Sequence, residues 1–205
     1  MKLAAFACLC ALSIAREAAA LGVEVKDLRS AAMDVTASIE LRDVLPDRFR
    51  QTVDRGGVVH LRIHIEVWER RPVWDRLVYP AVVRVYRLAL TPSGRQFAIY
   101  DPDGSSTEHA AVPNPLQLAI RVGSPDRVAS TARYYAKVIA TLGTLAEREI
   151  DNAGDAVFGR PEESTGLGAF GRVVFKKVLE ISDYLQSVSA QGISRNIAGG
   201  QILKP

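Results

Sequence analysis

Hydrophobic and polar residues alternate along much of the first hundred positions, and a period of two predicts antiparallel strands. Met33, Val35, Ala37, Ile39 and Leu41 alternate with Asp34, Thr36, Ser38, Glu40 and Arg42. Successive strand residues point to opposite faces, so the first set belongs to a core and the second to water. Val23 and Val25 predict a shorter strand just before, with a turn near Arg29–Ser30. From Val58 to Glu69, Val59, Leu61, Ile63, Ile65 and Val67 face one way, and His60, Arg62, His64, Glu66 and Trp68 the other. Arg70-Arg71-Pro72 interrupts the pairing, and Leu77 to Leu90 is a second long β-branched stretch. Thr91-Pro92-Ser93-Gly94 is a turn signal, Gln96 to Tyr100 pairs back as a hairpin, and Asp101-Pro102-Asp103-Gly104 makes the next turn.

Other segments predict helices. Leu45 to Val53, opened by Pro46 and closed by Gly56-Gly57, reads as a short one. Asn114-Pro115 followed by Leu116, Leu118, Ala119 and Ile120 reads as another, and Ser124-Pro125-Asp126 as a further helix start. Tyr134 to Leu142 fits two patterns. Val128, Tyr135, Val138, Ile139 and Leu142 make a helical stripe, whereas Tyr134, Ala136, Val138, Ala140 and Leu142 make a strand face. Thr144 to Phe158 predicts a helix, and Arg160 to Gly168 a polar connection. Phe170, Val174, Val178, Ile181, Leu185 and Val188 recur at three and four, predicting a long amphipathic C-terminal helix. Gly192 to Pro205 is left as a loose tail or a final strand.

The first 20 residues stand apart from this pattern. Lys2 supplies a positive start, Leu3 to Ala15 is uncharged, and Ala18, Ala19 and Ala20 are small residues before Leu21. That order predicts a secretory signal cleaved after Ala20, and the apolar run is shorter than the roughly 17–25 residues of a membrane span. The expected location is therefore the periplasm or cell envelope, with no transmembrane segment after cleavage. Both cysteines, Cys8 and Cys10, fall in the removed piece, which leaves the mature chain without a disulfide or a thiol. Cleavage leaves 185 residues, enough for one domain with its own core. It removes two of 26 basic and one of 23 acidic residues, so the mature balance is 24 against 22. A near-neutral, interspersed charge gives no footprint for nucleic acid.

Several stretches together resemble a known family. These are Val35-Thr36-Ala37-Ser38-Ile39-Glu40-Leu41-Arg42-Asp43 with Leu45-Pro46-Asp47-Arg48-Phe49, Val59 to Ile63, Glu66 to Arg71, Trp74 to Leu77, and Arg133-Tyr134-Tyr135. The chain resembles the uncharacterised exported bacterial domain-of-unknown-function family 4390. The resemblance implies an exported domain with a long antiparallel sheet, and it favours a strand for Tyr134 to Leu142. It also implies an envelope-sensing accessory role, because genes of that family lie beside those of a membrane-bound sensor kinase. It brings no activity, substrate or catalytic residue.

Four constellations could carry chemistry. His60, Arg62, His64 and Glu66 share one strand face, where His64 and Glu66 could serve a metal or an acid/base step with a third group. His60 and His64, about 13 Å apart along a strand, cannot share one ion. Alternation alone also predicts such a polar outer face. Trp68, Trp74, Tyr79 and Tyr86, interleaved with Arg70, Arg71, Arg76, Arg84 and Arg87, read either as an aromatic-basic binding surface or as strand packing with arginine stems along the sheet. Gly166-Leu167-Gly168-Ala169-Phe170-Gly171 matches a dinucleotide fingerprint but has no strand before it. Asp101 and Asp103 resemble the start of a calcium loop whose later ligands are missing. No nucleophile elbow, H-E-x-x-H or phosphate-binding loop is present.

The sequence thus predicts one α+β domain, residues 21–205, dominated by an antiparallel, sandwich-like sheet with peripheral helices and the long C-terminal helix. The expected function is a non-enzymatic envelope module for a protein partner, with no cofactor and no metal. Its binding face is drawn from His60, Arg62, His64, Glu66, Trp68, Trp74 and Arg84. Two alternatives stay open: a carrier of lipid or another apolar ligand with the helix from Phe170 as a lid, and a hydrolase or metal-dependent enzyme using His64 and Glu66.

Overall fold

A computed structural model gives the fold and describes residues 20–31, 33–144 and 187–204. Strands dominate. In chain order they are β1 (Gly22–Ala31), β2 (Asp34–Arg42), β3 (Val59–Arg70), β4 (Arg76–Leu77), β5 (Val82–Leu90), β6 (Phe97–Tyr100), β7 (Ser106–His109), β8 (Leu116–Gly123), β9 (Arg133–Gly143), β10 (Val188–Ile193) and β11 (Ile197–Ala198). Helix α1 (Asp47–Asp54) follows β2, a single 3₁₀ turn (Pro125–Arg127) follows β8, and α2 (Gly199–Ile202) follows β11.

Among the described residues all pairings are antiparallel and form two sheets. The smaller has the order β1-β2-β8; the larger runs β10-β9-β3-β5-β6-β7, with β11 also on β9 and β4 on β3. The inner faces share one core. Leu61 and Ile63 of β3 are fully buried, as are Tyr134, Ala136, Val138, Ala140 and Leu142 of β9. Ala37, Ile39 and Leu41 of β2 and Ile120 of β8 meet them from the other sheet. Fully burying each Leu, Ile or Val of this set is worth about 1.5–3 kcal/mol, so the alternating set on β2, β3 and β9 is a large source of stability.

Several expectations hold. β2, the inner set of β3, the β5–β6 hairpin and α1 lie where alternation and turn residues place them. Tyr134 to Leu142 is a strand, because β3 pairs along its whole length and needs a period of two beside it. Residues 192–204 are held rather than loose: β11 pairs with β9, and Ile197 and Ile202 are buried.

Others are corrected. Leu116 to Ile120 is no helix; it is β8, with Leu116, Ile120 and Val122 buried and Gln117, Ala119 and Arg121 exposed. Pairing to Leu41, Ile39 and Ala37 of β2 overrides the local spacing. Ser124-Pro125-Asp126 opens only the 3₁₀ turn. β1 runs past Arg29–Ser30 to Ala31, because a bulge at Lys26 lets Val25 and Leu28, three apart, both face the core. Met33, expected inside, sits in the turn beyond β1 and is exposed. The stretch from Leu77 to Leu90 is split into β4 and β5 around buried Val78 and Tyr79. Val188 begins β10 instead of closing a helix. The helices expected from Thr144 and Phe170, the intervening connection and the glycine-rich motif at 166–171 lie outside the described residues, as do residues 1–19.

Candidate functional site

Strand β3 carries the polar series His60, Arg62, His64, Glu66 and Trp68 on the outer face of the larger sheet, opposite the core set. The register sets Glu66 beside Lys137 and Trp68 beside Tyr135 of β9, and His64 beside Val83 of β5. Glu66 is the hub. Its Oε1 lies 3.2 Å from His64 Nε2, and its Oε2 accepts the Trp68 indole N–H at 3.0 Å. Partial burial acts to raise the Glu66 pKa, but the Trp68 and His64 contacts outweigh it and hold the carboxyl below its usual range. Such a carboxylate is a weak base near neutral pH, with both oxygens already engaged. His60, four residues before His64, is buried at the β5 and β9 junction beside Arg87 and Gly143. Among the described residues no three His, Cys, Asp or Glu side chains gather as a metal site.

Further along β3 the chain turns through residues 71–75 and returns as β4, so Trp68 pairs with Leu77 and Glu69 with Arg76. Asp75 locks this hairpin. One carboxylate oxygen accepts the Arg71 backbone N–H at 3.1 Å; the other accepts the Tyr135 hydroxyl at 2.9 Å and Arg70 at 3.2 Å. The Arg71 N–H first, then the Tyr135 hydroxyl, hold the Asp75 carboxyl below its ordinary value, while burial and Asp75 push the Tyr135 phenol up. Glu69 accepts from both Arg71 and Arg76, which outweigh its partial burial and hold its carboxyl low. The base is fixed as well. Buried Tyr79, its phenol pushed up to about 12 by burial, donates to the Ser124 carbonyl at 2.6 Å, and Arg127 donates to the Val78 carbonyl.

The tip of this fixed hairpin is apolar and wet. Trp74 is 82% exposed and Val73 78%, with Leu77 at 40% beside them. Arg70, Arg71 and Arg76 belong to the same hairpin, and Arg133 pairs opposite Arg70 in the ladder. Single exposed hydrophobics are ordinary; here two large ones stand adjacent on a hydrogen-bonded frame.

The expected binding face therefore divides. Arg62, His64, Glu66 and Trp68 share the outer face, and Trp68 continues it into the hairpin that carries Trp74. Arg84 does not belong: it pairs with Ile63, so it stands on the core side of the sheet. Tyr79 and Tyr86 leave the aromatic-basic surface too, being buried. Arg87 stays outside and lies over the Tyr100 ring. Asp101 and Asp103 form a turn, their carboxylates accepting from the Ser105 hydroxyl. Reading the sequence missed Asp75 and Tyr135 as organisers; an Asp just after Pro72-Val73-Trp74 in a loop was the available signal.

Among the described residues no helix is long and apolar enough to cross a membrane. Comparison of the chain with protein-family models, with curated proteins and with solved structures finds no match.

Proposed function

We propose that this protein is an exported, non-enzymatic envelope module that grips a protein partner with the β3–β4 hairpin. One observation carries the reading: Trp74 and Val73 stand in water on a hairpin immobilised by Asp75. Trp and Arg dominate the energetics of protein interfaces, and a preorganised tip loses little entropy on docking. The matching partner surface is an apolar pocket for Trp74 with a carboxylate at its rim for exposed Arg133. The leader pattern of Met1 to Ala20 supports export, and the resemblance to family 4390 supports an envelope setting. Leu21 is buried and β1 begins at Gly22, directly after the proposed cleavage point.

The test is site-specific photocrosslinking in intact cells. A crosslinker at position 74 is compared with one at exposed Arg95, in the β5–β6 turn at the other end of the sheet. A single partner captured from 74, not from 95, and lost when Val73 is also changed to Asp supports the reading. Equal capture from both positions, or none from 74, overturns it.

A further inference from the structure

A cavity of about 520 Å³ opens at the end of the sandwich opposite the Trp74 hairpin. It is walled by the turn after β2, the first turns of α1, the segment before β8 and the start of β10, with Ala20, the residue before the proposed cleavage point, at its edge. The volume is that of a small-molecule site, for which about 300–1,000 Å³ is usual.

The wall is apolar on one side. Val44 and Leu45 are consecutive, yet both are buried, because Asp43 takes a left-handed conformation (φ 52°) and breaks the strand alternation. Val112 and Val188 complete that side. The rim is polar, and its charges are not equally free. Asp43 and Asn114 are reciprocally bonded: the Asn114 amide donates to the Asp43 carboxylate at 3.0 Å, and the Asp43 N–H donates back at 3.2 Å. Asp47 occupies the first turn of α1, where a negative charge complements the helix end. Arg48 stacks on the Phe49 ring at 4.6 Å, which covers its face but leaves its N–H edge available. Neither Arg48 nor Arg50 forms an ion pair among the described residues, although both line the opening. With Asp43 tied to Asn114, two guanidiniums stand at the rim against one carboxylate, Asp47.

We propose that this cavity binds a single-chain amphiphile with an anionic head, its chain against Val44, Leu45 and Val112 and its carboxylate or phosphate at Arg48 and Arg50. The proposal goes beyond partner docking and uses none of the hairpin residues.

Methyl NMR of the purified protein tests it, with dodecanoate, dodecyl phosphate, dodecanol and inorganic phosphate as probes below micellar concentrations. Both anionic amphiphiles should shift the Val44, Leu45 and Val112 methyls. Dodecanol should bind roughly tenfold more weakly, the loss of a charge-assisted contact. Inorganic phosphate alone should leave the methyls unmoved. The double variant R48Q/R50Q should erase the preference for the anions while leaving dodecanol affinity unchanged, which also shows that the cavity is still folded. Dodecanol binding as tightly as dodecanoate overturns the anionic head. Phosphate matching the amphiphiles overturns the chain site. Unmoved cavity methyls with every probe overturn the proposal altogether.

Discussion

The two ends of the sandwich use the same residue types in opposite ways. At the hairpin end the polar groups are spent on one another, Asp75 with Arg70, Arg71 and Tyr135, and Glu69 with Arg71 and Arg76, and the apolar Val73 and Trp74 are left in water. At the cavity end the apolar Val44 and Leu45 turn inward, and Arg48 and Arg50 are left with uncommitted charge. What a region can bind is set by which groups the frame does not need. The first end offers aromatic surface on a polar frame; the second offers cationic groups on an apolar one. Each frame can be broken separately, and doing so shows whether the ends are independent.

The largest effect should come from Phe49→Ala. Phe49 and Val53 anchor α1 against the core, and α1 carries Arg48 and Arg50. Truncating a buried Phe costs about 3–5 kcal/mol, read as a lower midpoint in urea. The loosening should concentrate at the cavity end, with amide exchange accelerating in α1 before the β3–β4 hairpin. Uniform acceleration at both ends would mean that they unfold as one unit.

Next is the clamp beneath the hairpin. A Cβ on Gly123 would collide with the Tyr79 ring, so Gly123→Ala must displace that ring and strain its bond to the Ser124 carbonyl. Overpacking of this kind costs about 1–3 kcal/mol. In a Tyr79→Leu background the same change should cost much less, because the colliding ring is gone; additive costs in the double variant would show that the clamp is not the reason for the glycine.

A smaller effect is expected at Asp43. A β-branched residue is strained at positive φ, so Asp43→Val should cost about 1–2 kcal/mol and loosen the cavity rim. Asp43→Asn keeps both the tolerated backbone and a bond to Asn114, and its unfolding free energy, from urea denaturation, should stay within about 0.5 kcal/mol of the parent. Equal losses for the two would place the role of Asp43 in its charge rather than its backbone.

How far these regions were legible differs for physical reasons. β2 and β3 could be read directly, since one buried face makes alternation unambiguous. β9 fitted two periods, and only the partner strand β3 decides between them. β8 misled because Leu116, Leu118 and Ile120 follow an Asn-Pro start that also suits a helix, while the deciding contacts come from β2, more than seventy residues earlier. β1 hid its core pair behind a bulge. Of the candidate face, the β3 series was visible, but Arg84 was misplaced because alternation within β5 does not reveal which set meets the core; the Ile63–Arg84 register does. The cavity was not legible at all, since its walls come from distant pieces of chain. Its one local mark is the apolar pair Val44-Leu45 where alternation predicts one residue inside and one outside.

The mildest test leaves the global fold alone and changes only the lock on the hairpin. The folded Asp75 carboxyl lies below its ordinary value, so its contribution is fully present above the unfolded pKa of about 3.9 and is lost as pH falls through the lower folded value. Trp74 fluorescence anisotropy should therefore stay level from neutral pH down to about 4 and drop below it, as the Arg71 N–H and the Tyr135 hydroxyl lose their anionic acceptor. The Val44 and Leu45 methyl signals at the far end should hold through that step, because no group of the hairpin touches the cavity wall. Asp75→Asn should show the lowered anisotropy already at pH 7 and no step near pH 4. A variant that keeps the step would assign hairpin rigidity to the Glu69 pairs with Arg71 and Arg76 instead, and the frame that presents Trp74 would then depend on those two arginines.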